Sequence, residues 1–411
     1  MKYVLLIGDG MADDPTAVLE GKTPLEAAEK PVMDRLSAQG TLGSVWNCPP
    51  ELPAGSDTAI LSIFGCDPRV CYTGRAPLEA AAQGVRLQPG DLAFRCNMAS
   101  LEEGDMPFEQ RKILSHSSGG LEGEVSKALA EELFADPDFR PLAEAAGIRV
   151  HPTLTYRHIC VQSHGDAKGL VLSPPHDHLG EVCGPYLPHG SANGDLLRRI
   201  MEKSFDILRK HPTNLQRVRE GKLPANCVWF WAEGTAVELP DFPARYHKRG
   251  AVISAVPLCH GIAALTGLDR ISVPGATGEK DTNYRGKADY AARALLEEGY
   301  DFVGIHVEAP DECTHNGDTP GKLESIAAID REVLAPLTAQ LAGTDYRILI
   351  LSDHKTLTDT RGHAHGPVPY ILYDSRVNTG SGLPYTEANG LLGPHVKDGT
   401  VLMDLLFGDG I

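Results

Sequence analysis

Three apolar runs that end in acidic residues or histidine constrain this chain more than any other feature. KYVLLIG runs into Asp9, DFVGIHVEAP into Asp311, and YRILILS into Asp353 and His354. Runs without polar alternation suit strands covered on both faces, as in a parallel sheet. VPYILYD is a fourth such run. Helix-period stretches such as KADYAARALLEEG and KLESIAAIDREVLAPLTAQLAG stand between them. The alternation predicts an α/β layered domain with a mostly parallel sheet. Ligands of such sheets sit beyond the carboxyl ends of the strands, which is where these carboxylates and imidazoles fall.

The middle of the chain reads differently. Between about residues 85 and 240 come shorter strand-like runs (LAFRCNMASL, IRVHPTLTYRHICVQSHG, CVWFWAEG), helices such as GEVSKALAEELFA and GDLLRRIMEKSFDILRKH, and Pro-rich joints. GAVISAVPLCHGIAALTGL then resumes the strand-then-helix pattern. The expected organisation is a discontinuous core domain, residues 1–80 and 241–411, with a smaller α+β domain inserted at residues 81–240.

An apolar fraction of 42% supplies a sizeable core and rules out a disordered chain. The net charge of −17 disfavours a nucleic-acid partner, which needs a basic face. An anionic substrate would need local arginines or bound metal ions to reverse that field. The nine cysteines are odd in number and contain no CxxC pair, so neither a disulfide framework nor a zinc knuckle is expected. The opening apolar run is too short for a signal-peptide core, and no stretch approaches the roughly 18 apolar residues of a membrane span. The expected setting is the reducing cytoplasm, with no membrane partner; oligomeric state is left open.

Four segments carry the chemistry. Asp9 lies in a glycine turn, where turn chemistry alone is an ordinary explanation. Ser56, in PAGSDTA, precedes an apolar helical run; it is either an N-cap or a hydroxyl at a helix end that favours a phosphoryl group. Asp311 and His315 are four apart, which on a helical turn puts carboxylate and imidazole on one face. Asp353 and His354 are followed by His363 and His365 in HAH. Three carboxylates gathered at one sheet edge would repel unless cations sat among them. Mixed carboxylate and imidazole ligands suit Mn²⁺, Zn²⁺ or Mg²⁺, and two such ions with an activated serine make phosphoryl transfer the economical chemistry.

The sequence resembles the alkaline phosphatase superfamily and, within it, the archaeal-type cofactor-independent phosphoglycerate mutases. The resemblance runs nearly the whole chain, through IGDGMADDP, PAGSDTAILSIFGCDPRVCYTGRAPLEAA, GDLAFRCN, YRHICV, SPPHDHLG, KLPANCVWFWAEG, VPGATGEKDTNYRGKA, HVEAPDECTHNGD, SDH and PVP. It implies an alkaline-phosphatase-like core, with Ser56 as a nucleophile that becomes phosphoserine. It further implies two divalent ions, Mn²⁺ first and Mg²⁺, Co²⁺ or Zn²⁺ otherwise, and no bisphosphoglycerate. One ion would take Asp9, Ser56, Asp353 and His354; the other Asp311, His315 and His363. His363 is preferred to His365 because the family histidine lies four residues before the first proline of PVP, here Pro367.

The inserted domain would hold the glycerate through Arg95, Asn97, Arg157 and His158, with Asp177 orienting a hydroxyl. Arg75 would support the site from the core domain, His365 would stand behind it, and Lys287 would face solvent. Domain closure would keep water out. The implied activity is isomerisation of 3-phosphoglycerate and 2-phosphoglycerate. A bacterial branch with the same motifs has been proposed to phosphorylate homoserine, so a phosphotransferase or phosphatase stands as the alternative, although the chain has no GxxxxGK[ST] loop. A metal-binding scaffold is the non-enzymatic alternative, and an intact Ser56 speaks against it. Lys355, His260, Thr314 and Asn316 depart from the usual pattern, and a cation at Lys355 could tune the phosphoserine site.

Overall fold

The strand Lys2–Gly8 sits at the centre of an eight-stranded sheet, flanked by Phe302–Val307 on one side and Tyr346–Leu351 on the other, both parallel to it. A computed structural model describes residues 1–378 and 380–408. Val4, Leu5 and Leu6 are fully buried, which explains the unbroken apolar run: helices cover both faces of the strand. Gly250–Ile253 and Asp269–Ile271 extend the sheet in parallel beyond Phe302–Val307. On the other side Val368–Asp374 pairs antiparallel with both Tyr346–Leu351 and Thr41–Val45. The sheet is therefore mostly parallel, but VPYILYD is its antiparallel exception. Two reversals in succession leave Thr41–Val45 running the same way as the central strand, so its carboxyl end reaches the same edge.

The registers decide where the chemistry lands. Gly8 pairs with Val307 and Ile7 with Leu351. Asp9, the segment leading to Asp311, and the Asp353–His354 pair consequently leave three adjacent strands at one level. The segment leaving Thr41–Val45 enters the helix Ser56–Ile63 with Gly55 as its N-cap and no side-chain cap. Asp311 and His315 lie on a short helix, Ala309–His315, begun by Pro310. His363 comes from a two-stranded hairpin, Lys355–Leu357 with Gly362–Ala364.

The chain divides into two compact units: Met1–Tyr72 with everything from Glu238 onward, and Thr73–Val237. The first transition lies eight residues before the expected 80, because the helix Arg75–Ala82 is one continuous element that belongs to the second unit. Arg75 therefore stands in the inserted unit, not the core, and pairs with Glu79 one turn along its own helix. The second unit is built on an antiparallel sheet in which Leu92–Leu101 lies between Arg157–Gln162 and Cys227–Thr235. Its aromatic core includes Phe94, Phe205, Trp229 and Phe230.

The expected solvent-facing Lys287 is instead buried in the helix Tyr284–Leu296. Its Nζ donates to the His306 carbonyl at 2.8 Å, and burial pulls the amine down to about 8. Nine buried cysteines carry free thiols. No helix among the described residues is long and apolar enough to cross a membrane.

Candidate active site

Two groups of potential metal ligands assemble at the carboxyl edge of the sheet: Asp9, Asp353 and His354, and Asp311, His315 and His363. The first group is built by backbone geometry. Asp353 Oδ1 accepts the N–H groups of Gly10, at 3.1 Å, and His354, at 2.9 Å. Gly10 must be glycine: its φ is +61°, and a Cβ would lie 2.6 Å from Thr356 Oγ1 and 2.7 Å from Asp311 Oδ1. Asp9 Oδ2 meets His306 Nε2 at 2.9 Å. Among the described residues, Asp9 Oδ1 and Asp353 Oδ2 are buried without a hydrogen-bond partner, with His354 Nε2 3.4 and 3.3 Å away. Buried carboxylate oxygens left bare in this way are costly unless a cation meets them.

The second group is more open. His315 Nε2 lies 3.1 Å from Asp311 Oδ2 and 3.0 Å from His363 Nε2, and His363 Nε2 lies 3.5 Å from Asp311 Oδ1. The imidazoles are set by their other nitrogens. His315 Nδ1 donates to the Arg361 carbonyl at 2.8 Å, and His363 Nδ1 to that of Ala54 at 3.3 Å. His354 Nδ1 lies 3.3 Å from the Lys355 carbonyl. A ring whose Nδ1–H is held by a carbonyl keeps an Nε2 lone pair for a metal. Three inward Nε2 atoms, two bare buried carboxylate oxygens and three convergent aspartates fit a pair of divalent cations.

The electrostatics point the same way. Burial, then Asp353 and Asp311, push the Asp9 carboxyl well above the usual range. Burial would also raise Asp311, but hydrogen bonds from His315 and His363 outweigh it and hold that carboxyl well below its ordinary value. The bond to Asp311 pushes His315 up to about 9. Bound cations would take over from these protons.

Ser56 stands beside the first group. Its Oγ lies 3.3 Å from Asp9 Oδ2 and 3.1 Å from His354 Nε2. As the first residue of its helix it also sits where backbone N–H groups and the helix dipole favour an anion.

His365 is exposed at the end of the hairpin and belongs to neither group. Lys355 points elsewhere: its Nζ pairs with Asp14 at 2.6 Å. His260 donates to or accepts from nothing in the two groups; its Nε2 meets the Ser254 carbonyl at 2.8 Å.

In the inserted unit the expected substrate residues separate into two kinds. Arg95 is buried, and its Nε and Nη2 both bond to Glu79, the first at 2.8 Å. Asn97 is fully buried; its Nδ2 donates to the His116 carbonyl and its Oδ1 accepts the Trp231 Nε1–H, both at 2.9 Å. His158 is fully buried too, its Nδ1 accepting the Thr153 N–H at 3.0 Å, and burial lowers it to about 4. Asn97 pairs with Arg157 across the sheet and shares its face with Arg95 and Trp231, whereas His158 pairs with Cys96 and points to the opposite face. Asp177 lies exposed on the turn Pro175–His178, beside His176.

Arg157 differs from all of these. Its guanidinium lies over the Tyr156 and Trp231 rings, and its Nε is buried with no hydrogen-bond partner among the described residues. Burial, then Arg95, disfavours its charge, so an anion placed there would be welcome.

Sequence reasoning missed His306, Thr356, Glu79, His116 and Trp231. For His306 a signal existed, a histidine inside an otherwise apolar strand. Thr356 had none, because its role depends on the hairpin returning over the sheet edge.

Residues 37–214 match the family model described as 2,3-bisphosphoglycerate-independent phosphoglycerate mutase. The chain is 43% identical over 375 residues to the enzyme of that name from Methanosarcina barkeri, covering 91% of this chain and 90% of the relative. It is 40% identical over 409 residues to a probable one from Geobacter sulfurreducens, covering 99% of each. A Pyrococcus horikoshii protein of solved structure superposes with a TM-score of 0.81 at 29% identity, covering 100% of this chain and 98% of that one. The cofactor-independent phosphoglycerate mutase of Thermoplasma acidophilum gives 0.64 at 27%, covering 99% of each.

Proposed function

We propose the following for this chain, which belongs to the 2,3-bisphosphoglycerate-independent phosphoglycerate mutase family: it is an isomerase that interconverts 3-phosphoglycerate and 2-phosphoglycerate through a phosphoserine at Ser56. The observation that carries this is the Ser56 hydroxyl, at a helix N-terminus and within 3.3 Å of Asp9 and 3.1 Å of His354, among two sets of metal ligands.

Asp9, Ser56, Asp353 and His354 would hold one divalent ion, and Asp311, His315 and His363 the other. Mn²⁺ is the proposed ion, since it suits a mixture of carboxylate and imidazole ligands. Bound there, the ions would lower the serine pKa and neutralise the phosphoryl oxygens.

Ser56 Oγ attacks phosphorus in line. The Ser56 O–P bond forms as the substrate O–P bond breaks, and the released glycerate oxygen takes up a proton. The other glycerate hydroxyl then gives up its proton, attacks the phosphoserine and frees Ser56. The helix N-terminus holds the phosphoryl oxygens through both steps. Within the inserted unit, Arg157, whose Nε is buried without a hydrogen-bond partner among the described residues, is the cation best suited to receive an anionic group. Arg95 is a support, because Glu79 already holds its fork. The free buried thiols suit a reducing cytoplasm.

The test is a mutase assay with Mn²⁺ on 3-phosphoglycerate, with phosphate release measured in parallel. Ser56→Ala should lower turnover by at least about a thousandfold. Phosphate released in place of 2-phosphoglycerate, or turnover surviving the substitution, would sink this reading.

A further inference from the structure

Among the described residues, one hydroxyl hydrogen-bonds to a member of each ligand group. Thr356 follows His354 by two residues, is fully buried, and begins the return of the hairpin over the sheet edge. Its Oγ1 lies 2.6 Å from Asp311 Oδ1 and 3.2 Å from His354 Nδ1. The direction of these bonds follows from the atoms. An ionised carboxylate only accepts, so the one hydroxyl proton of Thr356 goes to Asp311. The hydroxyl oxygen can then only accept from His354 Nδ1–H, which it shares with the Lys355 carbonyl at 3.3 Å. The result is an ordered chain, His354 Nδ1–H to Thr356 Oγ1–H to Asp311 Oδ1, which runs from a ligand of one group to a ligand of the other.

The chain is held rigidly by backbone that the side chain does not need. The Thr356 N–H donates to the Ala12 carbonyl at 3.0 Å, and the buried Lys322 Nζ donates to the Thr356 carbonyl at 2.7 Å. Gly10 leaves the space in which the hydroxyl sits.

We infer that Thr356 is a positioning residue that makes the two metal ions bind cooperatively. The inference rests on the reading of the two groups as cation sites. A cation on His354 Nε2 withdraws electron density from the ring and makes Nδ1–H a stronger donor. The polarised Thr356 hydroxyl then donates more strongly to Asp311 Oδ1, which fixes the carboxylate in the orientation that the second cation needs. Because coupling is reciprocal, either ion strengthens the other. A threonine that only filled space would not produce this, since its methyl group alone could do that.

Calorimetric titration of the metal-free full-length protein with Mn²⁺ tests it, with each variant checked by circular dichroism and thermal melting. The wild type should bind two ions, the first raising the affinity for the second by at least about fivefold. Thr356→Val keeps the shape without the hydroxyl and should still bind two ions, with that factor falling to near one. Thr356→Ser should restore it. Equal coupling in the wild type and Thr356→Val, or loss of affinity at both sites with coupling retained, overturns the inference while leaving the metal reading intact. A wild type that binds no Mn²⁺ overturns the metal reading and the inference together.

Discussion

The two ligand groups at the sheet edge are chemically alike and electrostatically opposite. Asp9, Asp353 and His354 are buried, and two of their carboxylate oxygens have no hydrogen-bond partner among the described residues. Asp311 is buried as well, but His315 and His363 reach it from a more open side and already meet its charge. The inner group is strained without a cation, whereas the outer group is satisfied by protons. The difference teaches that one fold edge can place side by side a ligand group that would gain stability from a cation and another that would exchange protons for one.

The sharpest way to break this comparison is to neutralise one aspartate in each group. Asp9→Asn should lower mutase turnover by about a thousandfold or more. Yet in chelator it should leave the protein more stable than the wild type, by on the order of 1–3 kcal/mol, because it removes a buried and repelled charge. Asp311→Asn should also cost activity but should not stabilise the metal-free protein, since it removes the anion that its histidines answer. Urea denaturation in chelator measures both; an equal response from the two variants would erase the distinction.

His306 sharpens the inner half of the comparison. Its Nε2 holds Asp9 Oδ2 and its Nδ1 meets Ser254 Oγ at 3.1 Å. Ser254 Oγ accepts the Val256 N–H, which leaves its proton for His306 Nδ1. His306→Ala should weaken Mn²⁺ affinity by about 10–100-fold, as losses behind a ligand do. Titration in which the outer site weakened more than the inner would contradict this.

The smallest effect is a metal-independent baseline. His158 in the inserted unit is lowered to about 4 by burial, against an ordinary value near 6.5. Its folded pKa lies below the unfolded one, so its contribution is fully present above pH 6.5 and lost as pH falls from 6.5 to 4. The slope is at most about 1.4 kcal/mol per pH unit. His158→Gln should flatten that part of the stability profile, measured by denaturation at pH 7 and pH 5, equally with and without Mn²⁺. A dependence on metal would show that this histidine does not titrate on its own.

Asp9, Asp311, His315, Asp353 and His354 were legible as candidate ligands because each follows a strand or sits at helical spacing, whereas His363 was picked out from His365 only by the family resemblance. A run of buried residues must end somewhere, and in a parallel sheet it ends at the edge where ligands bind. The antiparallel direction of Val368–Asp374 was not legible, since a strand buried on both faces has the same composition in either direction. Nor was the fate of Arg95, Asn97 and His158. Their place beside strand-like runs suggested exposure to substrate, but only the packing of the sheet decides which face looks inward.

Local sequence thus determined the residue types, the strand ends and the mixed carboxylate–imidazole chemistry, because these depend on neighbours along the chain. Tertiary structure alone decided which oxygens stay bare, which arginine keeps a free nitrogen, and that Thr356 touches both groups. Those depend on the register of strands and a hairpin up to hundreds of residues apart, where a shift of one residue turns each side chain to the other face.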